Sequence, residues 1–162
     1  MRSRTFGVRS QPSGGLVDVL RNLSLAALLL MILAMWGLLA TRSLFAGVPA
    51  AVAVQVAAVC LMVWARATFG RRSFHAGADP TPGGLVTTGP YRFIRHPIYT
   101  AVCLFGWAGV LSHWSPRAAL LGVLLLVGSL GRMLCEERMV VEVYPEYRRY
   151  AQTTKRMVPY VF

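Results

Sequence analysis

The stretch Leu23-Ser-Leu-Ala-Ala-Leu-Leu-Leu-Met-Ile-Leu-Ala-Met-Trp-Gly-Leu-Leu-Ala40 carries no charged residue. A run of that length comes close to the roughly 20 apolar residues a helix needs to cross about 30 Å of hydrocarbon. Three more apolar runs follow, at residues 44–65, 98–114 and 118–133. With 56% apolar and only 14% charged residues in 162, the chain is far from the soluble average. The reading is all-α: a polytopic membrane protein with four transmembrane helices and a C-terminal amphipathic helical segment. The third and fourth runs are short for a crossing, so they are expected to sit with little tilt or to end in a protein-lined recess.

Orientation follows from the 17 Lys and Arg, since positive residues near span ends stay on the cytoplasmic side. Arg2, Arg4, Arg9 and Arg21 precede the first span, and Arg66, Arg71, Arg72, Arg92 and Arg95 lie between the second and third. Arg132, Arg138, Arg148, Arg149, Lys155 and Arg156 sit at or beyond the end of the fourth, leaving only Arg42 and Arg117 for the other side. Both termini are therefore expected in the cytoplasm, with a bacterial plasma membrane as the expected location. The net charge of +11 flanks apolar spans without a nucleic-acid-binding motif, so anionic lipid headgroups, not nucleic acid, are its expected partners. The 23–40 run exceeds the usual 7 to 15 residue core of a cleaved signal. Cys60, Cys103 and Cys135 are odd in number, lie in or beside apolar runs and lack CxxC spacing, which reads as packing, with no metal site.

Residues 1–22 are expected to be a flexible tail, 23–65 a transmembrane hairpin, and 66–162 a cofactor-binding loop, a second hairpin and a C-terminal lid, forming one domain with 23–65. The short connections at 41–43 and Ser115-Pro116 predict two tight antiparallel hairpins. The loop before the third span is full of breakers: Gly77, Pro80, Pro82, Gly83, Gly84, Gly89 and Pro90. Pro97 is placed to be a first helical residue, and the unpaired amides of that helix start suit a negative group. Past the fourth span Met139, Val140, Val143, Tyr144 and Tyr147 recur at helical spacing until Pro145 ends or kinks the helix.

Arg132 and Glu136 are four apart, so they meet on one helix face, and Glu137 adds a second carboxylate. Charges retained in a span face protein, water or a ligand. Depth decides between headgroup-solvated residues and a polar pocket beneath a lipid-accessible cavity. His96 lies beside Arg95, Pro97 and two tyrosines at a membrane interface, where a small polar ligand can be gripped; His75 and His113 have no such neighbours.

The segment Gly84-Leu-Val-Thr-Thr-Gly-Pro-Tyr-Arg-Phe-Ile-Arg-His-Pro-Ile-Tyr99, then Arg132-Met-Leu-Cys-Glu-Glu137 and Tyr144-Pro-Glu-Tyr-Arg-Arg-Tyr150, resembles the integral-membrane methyltransferases related to isoprenylcysteine carboxyl methyltransferase and phospholipid N-methyltransferase. The likeness covers roughly the C-terminal half, and the order of its pieces carries it. It implies that the last two spans and the adjoining segments enclose S-adenosylmethionine. Leu85 and Val86 would line the adenine; Tyr91, His96, Pro97 and Tyr99 would hold the methionyl and ribose parts; Glu137 would help bind the amino group; Tyr147 and Tyr150 would close the lid. Arg132 and Glu136 would be catalytic, facing a lipophilic acceptor (a carboxylate, lipid amine or thiol) that arrives from the bilayer.

Two departures accompany the likeness. Ala101 stands where such proteins commonly have glycine, and Tyr144-Pro145 where a Phe-Gly pair is usual. They motivate a non-catalytic scaffold as an alternative reading. A nicotinamide-dependent membrane reductase is another, because some sterol reductases resemble the same module; those are much longer chains.

Overall fold

The structure, a computed structural model, describes residues 14–70 and 85–162. It is all-helical: α1 (Gly14–Ala40), α2 (Pro49–Phe69), α3 (Pro97–Ser112), α4 (Pro116–Val143) and a short α5 (Tyr147–Thr153), with a 3₁₀ turn at Gly89–Arg92. By length and composition α1, α2 and α4 can each cross a membrane, and α3 is a shorter apolar helix among them. The chain is thus an integral membrane protein whose four apolar helices correspond to the four expected spans. Breakers in the loop at Gly77, Pro80, Pro82, Gly83 and Gly84, together with His75 and most of the N-terminal tail, lie outside the described residues.

Proline sets three of the four starts. Pro49, Pro97 and Pro116 each occupy the first turn, where a missing N–H removes no hydrogen bond. Ser115 caps α4 by accepting from the Ala118 amide at 3.1 Å. α2 stops at Gly70, whose φ of 67° suits glycine.

One boundary differs from expectation. α1 reaches back to Gly14, so residues 14–22, expected in the tail, are helical. The reason is tertiary: Leu20 is buried in a cluster with Cys135 and Met139, far along α4. α4, at 28 residues the longest helix among the described residues, runs on past its apolar span to Val143 and ends before Pro145, as the helical spacing of Met139, Val140 and Val143 implied. At about 1.5 Å per residue it extends over roughly 42 Å, against about 24 Å for the 16-residue α3. At the Pro97 end of α3, His96 meets Glu137 while α4 runs on to Val143 with Leu20 of the α1 extension packed on Cys135 and Met139.

The expected pairing of α1 with α2 is also corrected. α1 packs along α4, α2 along α3, and α3 joins the two pairs through α4. Small residues decide this, because close approach between membrane helices depends on packing more than on hydrophobicity. A Cβ on Gly128 of α4 would come within 2.9 Å of the Ala27 carbonyl oxygen of α1. Ala34, Leu38, Val110, Ala118 and Leu125 form the core between these helices, while Leu29, Leu33, Trp36, Val56, Val63 and Leu120 face outward to lipid.

The connection at 41–48 folds onto α2 and α3. The buried Gln55 donates to the carbonyls of Leu44 at 2.7 Å and Phe105 at 3.0 Å, and accepts from the Ala46 amide at 3.0 Å. Ser112 Oγ accepts from the amides of Gly47 and Val48, and His113 pairs its Nε2 with the Phe45 carbonyl at 3.0 Å, a structural role. Gly109 lies under this connection, and a Cβ there would stand 2.2 Å from the Leu44 carbonyl oxygen. Since the obstacle is backbone, Gly109→Ala should destabilise the protein by about 1–3 kcal/mol. Thermal unfolding followed by circular dichroism in detergent checks this; an unchanged midpoint would show that the connection shifts freely. Cys103 and Cys135 pack inside as expected, whereas Cys60 is exposed.

Candidate active site

Among the described residues, Arg95, Arg132 and Arg156 meet at the end that holds the C-terminus of α4, the start of α3, and α5. There the segment after α5 turns back and lies parallel to the run before α3, with a bridge between Ile94 and Lys155. The Arg95 amide donates to the Lys155 carbonyl at 2.7 Å and the His96 amide to that of Arg156 at 2.9 Å. Thr100 Oγ1 donates to the Met157 carbonyl at 2.9 Å, and Met157 is buried against Cys103 and Met133. This strand-like pairing satisfies backbone groups that an irregular segment would otherwise leave open.

Glu137 is the hub. Its Oε1 accepts from Arg95 Nε and Nη2, both at 2.9 Å, and from the Tyr147 hydroxyl at 3.1 Å, with His96 Nε2 at 3.2 Å. Oε2 accepts from Arg156 Nε at 3.0 Å. The side chains of Arg95 and Glu137 are only 7% and 11% exposed, so the pair is largely shielded from water. Arg95 also donates to the carbonyls of Ala151 and Thr154, tying α5 to the run before α3. Two guanidiniums around one carboxylate leave the cluster with a surplus positive charge.

A second cluster lies next to it, one residue along each helix face. The Tyr99 hydroxyl donates to Glu136 Oε1 at 2.6 Å and accepts from Arg132 Nε at 2.8 Å, while Arg132 Nε approaches Glu136 Oε1 at 3.2 Å. Arg132 Nη1 donates to the Ser24 carbonyl of α1 at 3.3 Å. Arg132 is 5% exposed. Arg132 is thus buried between α1, α3 and α4, with Glu136 half-buried beside it, as in the polar-pocket alternative.

Tyr147 and Tyr150 pack edge to face, 5.8 Å between ring centres, and the Tyr150 hydroxyl donates to the Tyr91 carbonyl. Burial pushes the Tyr150 phenol up to about 12, with Arg95 opposing, and raises those of Tyr91 and Tyr147 as well. All three stay neutral near pH 7. On the outer side of α5 an open groove of about 530 Å³ is lined by Leu85, Thr87, Glu146, Arg149, Tyr150 and Thr153.

Of the residues singled out from the sequence, His96, Glu137 and Tyr147 meet in the first cluster, and Tyr99, Arg132 and Glu136 in the second. Leu85 and Tyr150 line the groove. Tyr91 is buried with its ring 5.5 Å from that of Phe69, Pro97 is buried as the first residue of α3, and Val86 is half-buried outside the groove lining. Ala101 is buried at 2% exposure within α3. Sequence reasoning did not place Arg95, Arg156 or Ser24 in the site. Arg95 stood beside His96 in the quoted motif, but Arg156 had no signal beyond its charge, because only the folding back of the tail brings it to Glu137.

Searches of curated proteins and of solved structures return no match. A family model described as phospholipid methyltransferase matches residues 47–147, which is more than half of the chain and includes α2, α3, α4 and both carboxylates. With its apolar helices and the buried Arg132 between Tyr99 and Glu136 in one bundle, the chain belongs to the phospholipid methyltransferase family.

Proposed function

We propose that the protein transfers the methyl group of S-adenosylmethionine to a lipophilic acceptor, which reaches the buried cluster from the bilayer. The observation that carries this reading is the adjacency of two differently built polar clusters on consecutive residues, Glu136 and Glu137. One is joined to the groove at the basic end through the contact of Tyr147 with Tyr150, and the other is held between α3 and α4 against the backbone of α1. By the positive-inside rule that end, with both termini, faces the cytoplasm, where the cofactor is found. Residues 23–162 act as one domain, with 66–162 carrying the site.

The residues present fit such a cofactor. A groove of about 530 Å³ falls within the 300–1,000 Å³ usual for small-ligand sites. Leu85 and Tyr150 offer an apolar and an aromatic surface for adenine, with Val86 beside them. The surplus positive charge at Arg95 and Arg156 suits a carboxylate, and Glu137, oriented by His96 and Tyr147, presents its Oε2 edge to an amino group. Tyr91, whose carbonyl accepts from Tyr150, and Pro97 and Tyr99, beside His96, complete the surface offered to the methionyl and ribose parts. When bound, S-adenosylmethionine supplies an electrophilic methyl on a sulfonium.

The chain's own residues then align and hold. Arg132 pins an anionic part of the acceptor, while Glu136, oriented by Tyr99, accepts a proton where the acceptor is an amine or thiol. Excluding water and fixing the line of attack provide much of the acceleration in a displacement of this kind. Calorimetry with S-adenosylhomocysteine on protein in lipid nanodiscs should give saturable binding for the wild type and none for His96→Ala. Absence of binding by the wild type would overturn the reading, and equal binding by the two would remove His96 from the site.

A further inference from the structure

Ser24, on α1, is fully buried at 0% exposure, yet its Oγ has no hydrogen-bond partner among the described residues. A serine within a helix usually satisfies its hydroxyl on the carbonyl one turn back, and buried polar groups left open are rare enough to call for a reason. The carbonyl of this same residue accepts from Arg132 Nη1 at 3.3 Å, so the guanidinium that organises Tyr99 and Glu136 contacts the residue that carries the open hydroxyl. α1 lies outside the matched residues 47–147, and nothing in the family match speaks for Ser24.

The seam beside it is built of small residues. One turn toward the membrane interior Ala27 of α1 faces Gly131 of α4, both half-buried, and a Cβ added to Gly131 would meet nothing closer than the Ala27 methyl at 3.6 Å. At this level neither Ala27 nor Gly131 puts a side chain larger than a methyl into the seam. A group that arrives there meets a hydroxyl donor and a guanidinium together, a pairing that suits an oxyanion.

We propose that Ser24 Oγ and the Arg132 guanidinium form the binding point for an oxyanion of the lipophilic acceptor, a phosphate or a carboxylate, which enters along the α1–α4 seam at Ala27 and Gly131. This rests on the function proposed above and makes α1 a determinant of which lipids are taken. Ser24 binds the part of the acceptor that does not react, so its contribution is to affinity and positioning.

The test uses full-length protein in neutral detergent, titrated separately with phosphatidylethanolamine and with oleic acid while thermal unfolding is followed. The wild type should be stabilised by one of the two, which tells phosphate from carboxylate. Ser24→Ala should lose that stabilisation, with apparent affinity falling about tenfold or more. Its midpoint without lipid should be unchanged or higher, because alanine removes an unsatisfied hydroxyl. Ser24→Thr, which keeps the hydroxyl, should retain the response. An equal response in wild type and Ser24→Ala, or none in the wild type to either lipid, overturns the proposal. So does a lowered midpoint in Ser24→Ala with an intact lipid response, which would mean that the hydroxyl holds a structural water. Lipid stabilisation without binding of S-adenosylhomocysteine would sink the methyl-transfer reading and leave the oxyanion site standing.

Discussion

Glu137→Ala is expected to lower stability by on the order of 3–5 kcal/mol, the usual cost of removing one partner from a buried ion pair, and to abolish binding of S-adenosylhomocysteine. The carboxylate is the common acceptor for Arg95, Arg156, His96 and Tyr147, which come from three separate stretches of chain. Without it the largely buried Arg95 has no counter-charge, and Arg156 loses the contact that anchors the returning tail. The Arg156 side chain is 36% exposed, so its part of the cost is softened by water, and Arg95 carries most of it. Glu137→Gln separates the two effects. It keeps the shape and accepts from Tyr147, so it should recover part of the stability while binding stays weak. Chemical unfolding and calorimetry on the same preparations check this; full binding by Glu137→Ala would place the cofactor elsewhere.

Arg132→Ala should reduce turnover by 100-fold or more, the order seen when an electrostatic anchor of a transition state is removed. Affinity for S-adenosylhomocysteine should change little, because Arg132 belongs to the inner cluster and shares no hydrogen bond with Glu137. The loss has two parts: the acceptor forfeits its cationic anchor, and Glu136 loses the guanidinium that, with Tyr99, fixes its orientation. Arg132→Lys keeps the charge but cannot reach Tyr99, Glu136 and the Ser24 carbonyl together, so it should recover only a fraction of the rate. Labelled methyl transfer to a total lipid extract, with mass spectrometry of the product, measures the rate and identifies the acceptor. Equal loss of cofactor affinity and turnover would show that the two clusters act as one.

Much of the fold was legible because lipid is a simple solvent. A run such as residues 23–40 has few alternatives to a helix, and Pro49, Pro97 and Pro116 mark three starts by chemistry that needs no tertiary context. A boundary that depends on a partner was missed. α1 continues back to Gly14 because Leu20 finds Cys135 and Met139, and no spacing within 14–22 announces that contact.

The site divides the same way. Arg132 and Glu136 share a face by helical periodicity alone, and the order of motifs brought His96, Tyr99 and Glu137 forward as candidates. Arg156 and Ser24 joined them only through packing: one by a tail that pairs with residues 94–96, the other by a helix that prefers α4 to its neighbour in the chain. Hydrophobic length, proline placement and the sidedness of charge are local properties, and the sequence by itself determined from them that this is a helical membrane protein with one chemically rich end. Which helices touch, how deep Arg132 lies and what surrounds Glu137 depend on long-range close approach at Gly109 and Gly128 and on the returning tail. Such contacts are set by surfaces distant in the chain, so only the tertiary structure decided them.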